Sequence, residues 1–277
     1  MKQNRLASFI ILAFVYVIAT IGGILLYNRL PFDYPVALLL ADIFATIITF
    51  IFSLVFNNAS VYDPYWSVQP IVIMGLYAYL FKLNTLGILL LVAICYWGLR
   101  LTANWAYTFK NLTCQDWRYT MLHEKTGKFY PIINFIGIHM VPTLVVYFCT
   151  LPAVVAVYEG ALFRPLCIPF ICLAFIAPTI QMIADIQMQK FRKKGTGGFI
   201  RTGLWKHARH PNYFGEILMW WGIGLTCVCA MPKMWYLLGG AFANTLLFCF
   251  VSIPMAEKRQ SKKPGFEDYK KQTRILI

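Results

Sequence analysis

The chain has 277 residues, of which 59% are hydrophobic and 13% charged. Soluble domains carry about 25% charged residues, and the charges here are lopsided, with 25 Lys and Arg against 11 Asp and Glu, formally +14. That balance excludes a disordered chain, a soluble two-domain enzyme and a secreted disulfide scaffold, and leaves an integral membrane protein with one strongly basic face.

A membrane-crossing helix takes about 20 predominantly apolar residues. In chain order the candidate stretches are 6–27, 35–56, 66–81, 85–107, 131–157, 162–186, 212–230 and 233–254. The first follows Lys2 and Arg5 and is longer than a signal-peptide core, so it reads as a retained anchor. The third is short and framed by Pro64 and Pro70, which leaves seven to eight transmembrane helices. With the N-terminus cytoplasmic and every stretch crossing, the inside segments hold Lys2, Arg5 and the basic residues of 108–130, 187–211 and 255–277. The outside segments hold only Arg29, Lys82, Arg164 and Lys233. Positive residues stay on the cytoplasmic side, so this distribution supports the layout, with both termini cytoplasmic. The expected fold is all-α, a polytopic membrane helix bundle forming one domain over 1–277.

Polar residues inside these stretches fall at helical spacing. Asp42, Thr46, Thr49 and Ser53 share one face of the second stretch, and Tyr96, Arg100, Asn104 and Tyr107 share one face of the fourth. Gln181, Asp185, Gln189 and Arg192 repeat the pattern at the end of the sixth. Asn212 and Glu216 lie one turn apart in the seventh, behind Pro211, which suits the first position of a helix because its missing N–H has no partner there. An ionisable group in a bilayer costs at least about 2.5–3.5 kcal/mol on insertion scales, so these residues face protein or a wet cavity. Interhelical hydrogen bonding is the competing explanation for each stripe and leads for the Thr/Ser face. For Asp42, Arg100, Asp185, Arg192 and Glu216 together, the expectation is a polar cavity open to the cytoplasm, the side on which three of the four stripes end.

Residues 189–211 interleave Lys and Arg with glycines, a composition that suits phosphate recognition but on charge alone is explained first by anionic headgroups beside a membrane protein. No GxGxxG after a strand and no Walker loop occurs, so a soluble dinucleotide domain is excluded. His207, His210 and Glu216 lack a shared helical face across Pro211, and no metal site is expected. Nucleic-acid binding is not expected either, because the basic residues carry no soluble domain. The eight cysteines mostly lie in apolar stretches, with no CxxC pair, and read as small core-filling residues.

The run Gly203-Leu204-Trp205-Lys206-His207-Ala208-Arg209-His210-Pro211-Asn212-Tyr213-Phe214-Gly215-Glu216 resembles the C-terminal signature of the steroid 5-alpha-reductase superfamily. Asp63-Pro64-Tyr65-Trp66 with Pro70, Arg100-Leu101-Thr102-Ala103-Asn104-Trp105, Gln115-Asp116-Trp117-Arg118-Tyr119, Glu257-Lys258-Arg259 and Pro264-Gly265-Phe266-Glu267-Asp268-Tyr269 resemble further elements of its broadly distributed bacterial-type branch. The resemblance covers 60–277, while 1–59 matches only in hydrophobicity.

It implies a membrane-embedded, NADPH-dependent reductase of a carbon–carbon double bond conjugated to a ketone, in a steroid or similar lipophilic enone, located in a bacterial plasma membrane. It further implies that Asn212 and Glu216 bind the nicotinamide end, and that Gln181, Asp185 and Arg192 line the ribose and phosphates. Arg100, Asn104, Arg118, His207, Arg209 and Tyr213 complete the implied NADPH group. Gln181 stands where the steroid enzymes usually carry Asn, and His207 where they carry Tyr. The Glu that pairs with a Tyr on the steroid ketone has no secure match, Asp63 or Gln69 being nearest.

In such a reaction hydride reaches the β carbon and charge builds on the ketone oxygen, so a donor aimed there stabilises the transition state. The candidates are Asp63 with Tyr62 or Tyr65, and Tyr96. Glu216 completes the expected catalytic set. Partners would be the lipophilic substrate and membrane lipids, with no obligate protein partner implied.

The Arg-His-Pro-x-Tyr piece is also similar to S-adenosylmethionine-dependent isoprenylcysteine and phospholipid methyltransferases, but their Glu-Glu pair reads Ala256-Glu257 here. A non-enzymatic binding protein or transporter would show paired half-repeats with broken helices, and none is apparent.

Overall fold

The computed structural model describes residues 2–195 and 197–277. Among them the regular structure is helical, with one isolated parallel bridge between Ala208 and Arg274. The helices are α1 (Arg5–Tyr27), α2 (Tyr34–Phe56), α3 (Tyr65–Leu80), α4 (Thr85–Thr108), α5 (Trp117–Thr126), α6 (Tyr130–Ile133), α7 (Val141–Tyr158), α8 (Ile168–Lys193), α9 (Pro211–Ala230), α10 (Gly239–Leu247), α11 (Ile253–Gln260) and α12 (Phe266–Gln272). A π-helical turn, Asn134–Met140, joins α6 to α7, and another, Phe248–Ser252, joins α10 to α11.

Among the described residues seven helical runs are long and apolar enough to cross a membrane: Arg5–Tyr27, Tyr34–Phe56, Thr85–Thr108, Trp117–Tyr158, Pro165–Lys193, Pro211–Ala230 and Pro232–Gln260. α3, with 16 residues and Pro70 inside it, is not among them. The protein is all-α and multi-pass. α1 shows why lipid is the solvent. Leu6, Ile10, Phe14, Val17, Ile21 and Leu25 form one exposed face, while Ser8, Leu12, Val15, Ala19 and Gly23 are buried on the other. An apolar stripe of that length is rare on a soluble monomer.

The local signals act where physical chemistry puts them. The side chain of Asn4 accepts from Ala7 N–H at 3.0 Å and caps α1. α2 ends on Asn57 in the left-handed region, φ 51°, which Asn tolerates better than most residues. α9 begins at Pro211, the position expected for it.

By packing, the chain falls into two compact units. The first holds the residues up to Gly75 together with Leu101–Tyr147, and the second holds Leu76–Arg100 with Phe148–Ile277.

In the first unit α1 and α2 approach at Gly23, where a β-carbon would lie 3.3 Å from the Ala41 carbonyl oxygen. The polar stripe of α2 is buried, and its hydroxyls bond other elements: Thr46 Oγ1 to Thr143 Oγ1 at 3.0 Å, and Ser53 Oγ to the amide of Asn134 at 3.2 Å. For the Thr/Ser face, interhelical bonding is what the structure shows.

In the second unit α8 and α9 pack still more closely. A β-carbon at Gly215 would lie 2.6 Å from the Ala177 carbonyl oxygen, and one at Gly222 would lie 2.7 Å from the Ala174 nitrogen. Small residues at such positions let helix backbones meet without hydrophobic driving force. That contact brings Glu216 against Gln181.

Candidate functional site

The strongest polar constellation lies in the second unit. Glu216 is buried within α9, and its carboxylate accepts three N–H donors: Trp220 on Oε1 at 2.9 Å, and Trp97 and Gln181 on Oε2, both at 2.8 Å. The two indoles meet edge to face with centroids 4.7 Å apart. Among the described residues this carboxylate has no ion pair, so neutral donors offset the cost of keeping it in an apolar core. Gln181 Oε1 is buried without a partner among the described residues.

One helical turn beyond Gln181, Asp185 Oδ2 pairs with Arg100 Nη1 at 2.8 Å, the side chains being 5% and 14% exposed for Arg100 and Asp185 respectively. Asn212 Nδ2 approaches Asp185 Oδ1 at 3.5 Å. Arg100 keeps Nε and Nη2 buried with no partner among the described residues. One turn earlier on α4, Tyr96 Oη shares a 2.9 Å hydrogen bond with Thr179 Oγ1, and its ring stacks on Phe175. Tyr96, Arg100, Gln181, Asp185, Asn212 and Glu216 thus come from three helices of one unit.

The remaining named residues of that unit lie along the 192–216 stretch. Arg192 is exposed at the end of α8, and His207 is exposed in the loop. Tyr213 is half-buried, its ring parallel to His210 at 5.2 Å and against Phe248 at 4.9 Å. Arg209 is buried and points away from solvent. Its Nε donates to Glu257 Oε1 at 2.6 Å, and its Nη1 donates to the carbonyls of Lys270, at 3.1 Å, and Thr273. His210 Nε2 lies 3.5 Å from the same Glu257 oxygen. Burial holds the His210 imidazole down at about 4 against the pull of Glu257.

Asp63, Tyr65, Asn104 and Arg118 belong to the first unit. Tyr119 Oη donates to Asp63 Oδ1 at 2.6 Å, and burial pushes the Asp63 carboxyl up to about 6 despite the nearby Arg118 guanidinium. Arg118 pairs through Nε with Asp116 Oδ1 at 2.8 Å. Tyr65 Oη donates to Asp42 Oδ1 at 2.9 Å, and Gln69 Nε2 donates to Asp42 Oδ2. Asn104 is half-buried on α4.

Sequence reasoning did not single out Trp97 and Trp220, although Trp220 stands four residues after Glu216, on the same helical face. The pairing of Asp42 with Tyr65 and Gln69 depends on tertiary packing, which its helical spacing does not carry. Among the described residues no three of His, Cys, Asp and Glu group as metal ligands.

A model of the family described as a protein of unknown function, DUF1295, matches residues 49–273. The chain belongs to this family. Curated relatives are 3-oxo-5-alpha-steroid 4-dehydrogenase 1 of Macaca fascicularis, 35% identical over 35% of each chain, and of Homo sapiens, 34% identical over 35% of this chain and 36% of the relative. The Mus musculus protein of the same name is 31% identical over 44% of this chain and 46% of its own. The matched region therefore spans between a third and a half of these relatives' length. Together the family and curated matches support the steroid 5-alpha-reductase superfamily read from the motifs. No solved structure matches.

Proposed function

We propose that this membrane protein is an NADPH-dependent reductase of a carbon–carbon double bond conjugated to a ketone in a lipophilic, steroid-like substrate. The observation that carries the reading is the buried Glu216 carboxylate, fixed by Trp97, Trp220 and Gln181 inside the motif shared with the superfamily. The names of the curated relatives point the same way.

The residues of the second unit suit such a cofactor. Gln181 Oε1 is a buried acceptor available to a carboxamide N–H, and the Arg100 Nε and Nη2 groups are buried donors available to a phosphate oxygen. Asn212 and Glu216 would orient the nicotinamide end, Asp185 would meet ribose hydroxyls, and Arg192 would add charge for a phosphate. NADPH, when bound, would supply the hydride.

The substrate gains that hydride at its β carbon and a proton at its α carbon, and charge passes through the ketone oxygen between the two events. Tyr96 is assigned as donor to that oxygen, because it shares α4 and the α8 contact with Arg100, Gln181 and Asp185. A preorganised donor of this kind lowers the barrier by about 2.7–4 kcal/mol. The protein would sit in a bacterial plasma membrane, with its C-terminus and the site's opening on the cytoplasmic side.

NADPH oxidation with a 3-oxo-4-ene steroid, in detergent or liposomes, tests the reading. Glu216→Gln and Asn212→Ala should abolish turnover without unfolding the protein, and unchanged turnover in both would overturn it. Tyr96→Phe should lower kcat roughly 100-fold or more. If Tyr65→Phe does so while Tyr96→Phe does not, the donor assignment passes to Tyr65.

A further inference from the structure

Arg209 sits in the middle of the signature motif, where a basic residue invites assignment to a cofactor phosphate, yet its side chain is spent on the chain's own C-terminus. Besides the Glu257 pair and the two carbonyls beyond it, the backbone takes part. Arg209 N–H donates to Arg274 O at 2.9 Å, His210 N–H donates to Ile275 O at 3.1 Å, and Arg274 N–H donates to His207 O at 3.3 Å. Tyr269 Oη donates to the Trp205 carbonyl from below. Residues 273–275 thus run beside 207–210, paired through these backbone bonds at the isolated parallel Ala208–Arg274 bridge. Farther up the loop, Arg201 Nη2 donates to Gly265 O at 3.1 Å and Lys263 Nζ to Gly198 O at 2.5 Å.

The place of these contacts gives them their meaning. Residues 194–210 form the connection from α8, which carries Gln181 and Asp185, to α9, which carries Asn212 and Glu216. His210, the residue before α9, has non-helical backbone angles and makes no side-chain cap. The first turn of a helix leaves N–H groups without intrahelical partners, and the stretch leading into it needs acceptors too. Here the tail carbonyls supply them. The Arg209–Glu257 pair, with side chains 5% and 14% exposed, fixes the tail to the loop with a charge-assisted bond, the kind that loses most when one partner is removed.

We propose that the C-terminal tail is a strap that sets the start of α9, and that Arg209 and Glu257 are positioning residues acting through it on Asn212 and Glu216 rather than cofactor ligands. The effect on the cofactor rests on the function proposed above; the strap itself does not.

Glu257→Ala, with Glu257→Asp as the conservative partner, separates the two in the full-length protein. In the nucleotide-free state, hydrogen exchange at the Arg209 and His210 amides should rise in Glu257→Ala, while the mid-helix amides of α8 and α9 keep wild-type protection. Unchanged exchange at 209 and 210, or an equal rise along both helices, would overturn the strap. For the positioning role, the NADPH KM should rise about tenfold, the loss expected for one charge-assisted bond. The kcat at saturating NADPH should hold within about twofold, and Glu257→Asp should recover most of the KM. A fall in kcat at unchanged KM, or no recovery in Glu257→Asp, would overturn that role. If the wild-type protein does not oxidise NADPH at all, the proposed function fails, and the exchange pattern still decides the strap.

Discussion

Arg100 illustrates what a charge in a membrane helix requires. Its guanidinium is buried with one carboxylate, Asp185, as its ionic partner, so removing that carboxylate leaves an uncompensated cation in a low-dielectric interior. Asp185→Ala should therefore destabilise the protein by about 3–5 kcal/mol, read as a lower midpoint in denaturant or on heating in detergent. Asp63 gives a prediction of opposite character. Its carboxyl is raised from 3.8 to about 6 in the folded protein, so the native state holds a proton that the unfolded chain has released. Stability contributed by this group is complete below the unfolded value, falls as pH rises from about 4 to about 6, and is level above that. Asp63→Asn removes this slope. Thermal midpoints of wild type and variant, compared across that window, should move in the variant's favour as pH rises.

At the scale of helices, the sequence was most legible where hydropathy and spacing act alone. The stretch 35–56 is α2 within a residue, Pro211 opens α9, and the Asp42–Ser53 stripe is buried on a single face. The short 66–81 stretch, with its prolines, became a helix too short to count as a crossing. The two π-helical turns at 134–140 and 248–252 were not legible, because they shift the hydrogen-bond register without changing hydropathy. The candidate site was half legible for a similar reason. Arg100, Gln181, Asp185, Asn212 and Glu216 could be named from spacing and motif, whereas the Trp97 indole on Glu216 and the tail on Arg209 belong to distant segments brought near by folding. The α8–α9 contact carries its own prediction. Gly222→Leu has no room against the Ala174 backbone, and overpacking of this kind costs about 1–3 kcal/mol or more. It should also draw Gln181 away from Glu216, lowering NADPH affinity along with the thermal midpoint. A variant that keeps both would show the close approach to be dispensable.

For the whole molecule, the surplus of 14 positive charges acquires separate destinations. Arg100 is buried on Asp185, Arg209 is buried in the tail clamp, and Arg192 and Lys206 remain exposed around the 192–210 loop. Headgroup attraction and cofactor binding both draw on exposed charge of that kind, so charge alone does not assign the function; the proposed function rests on the buried polar groups of the second unit.

The most direct test of that assignment is ligand stabilisation. The full-length protein, purified in mild detergent, is heated with NADPH, NADH or S-adenosylmethionine. A ligand at about 100 times its Kd adds about 2.7 kcal/mol to the folded state. The account predicts a clear upward shift of the midpoint with NADPH, lost in Asn212→Ala. A shift with S-adenosylmethionine and none with NADPH would contradict it.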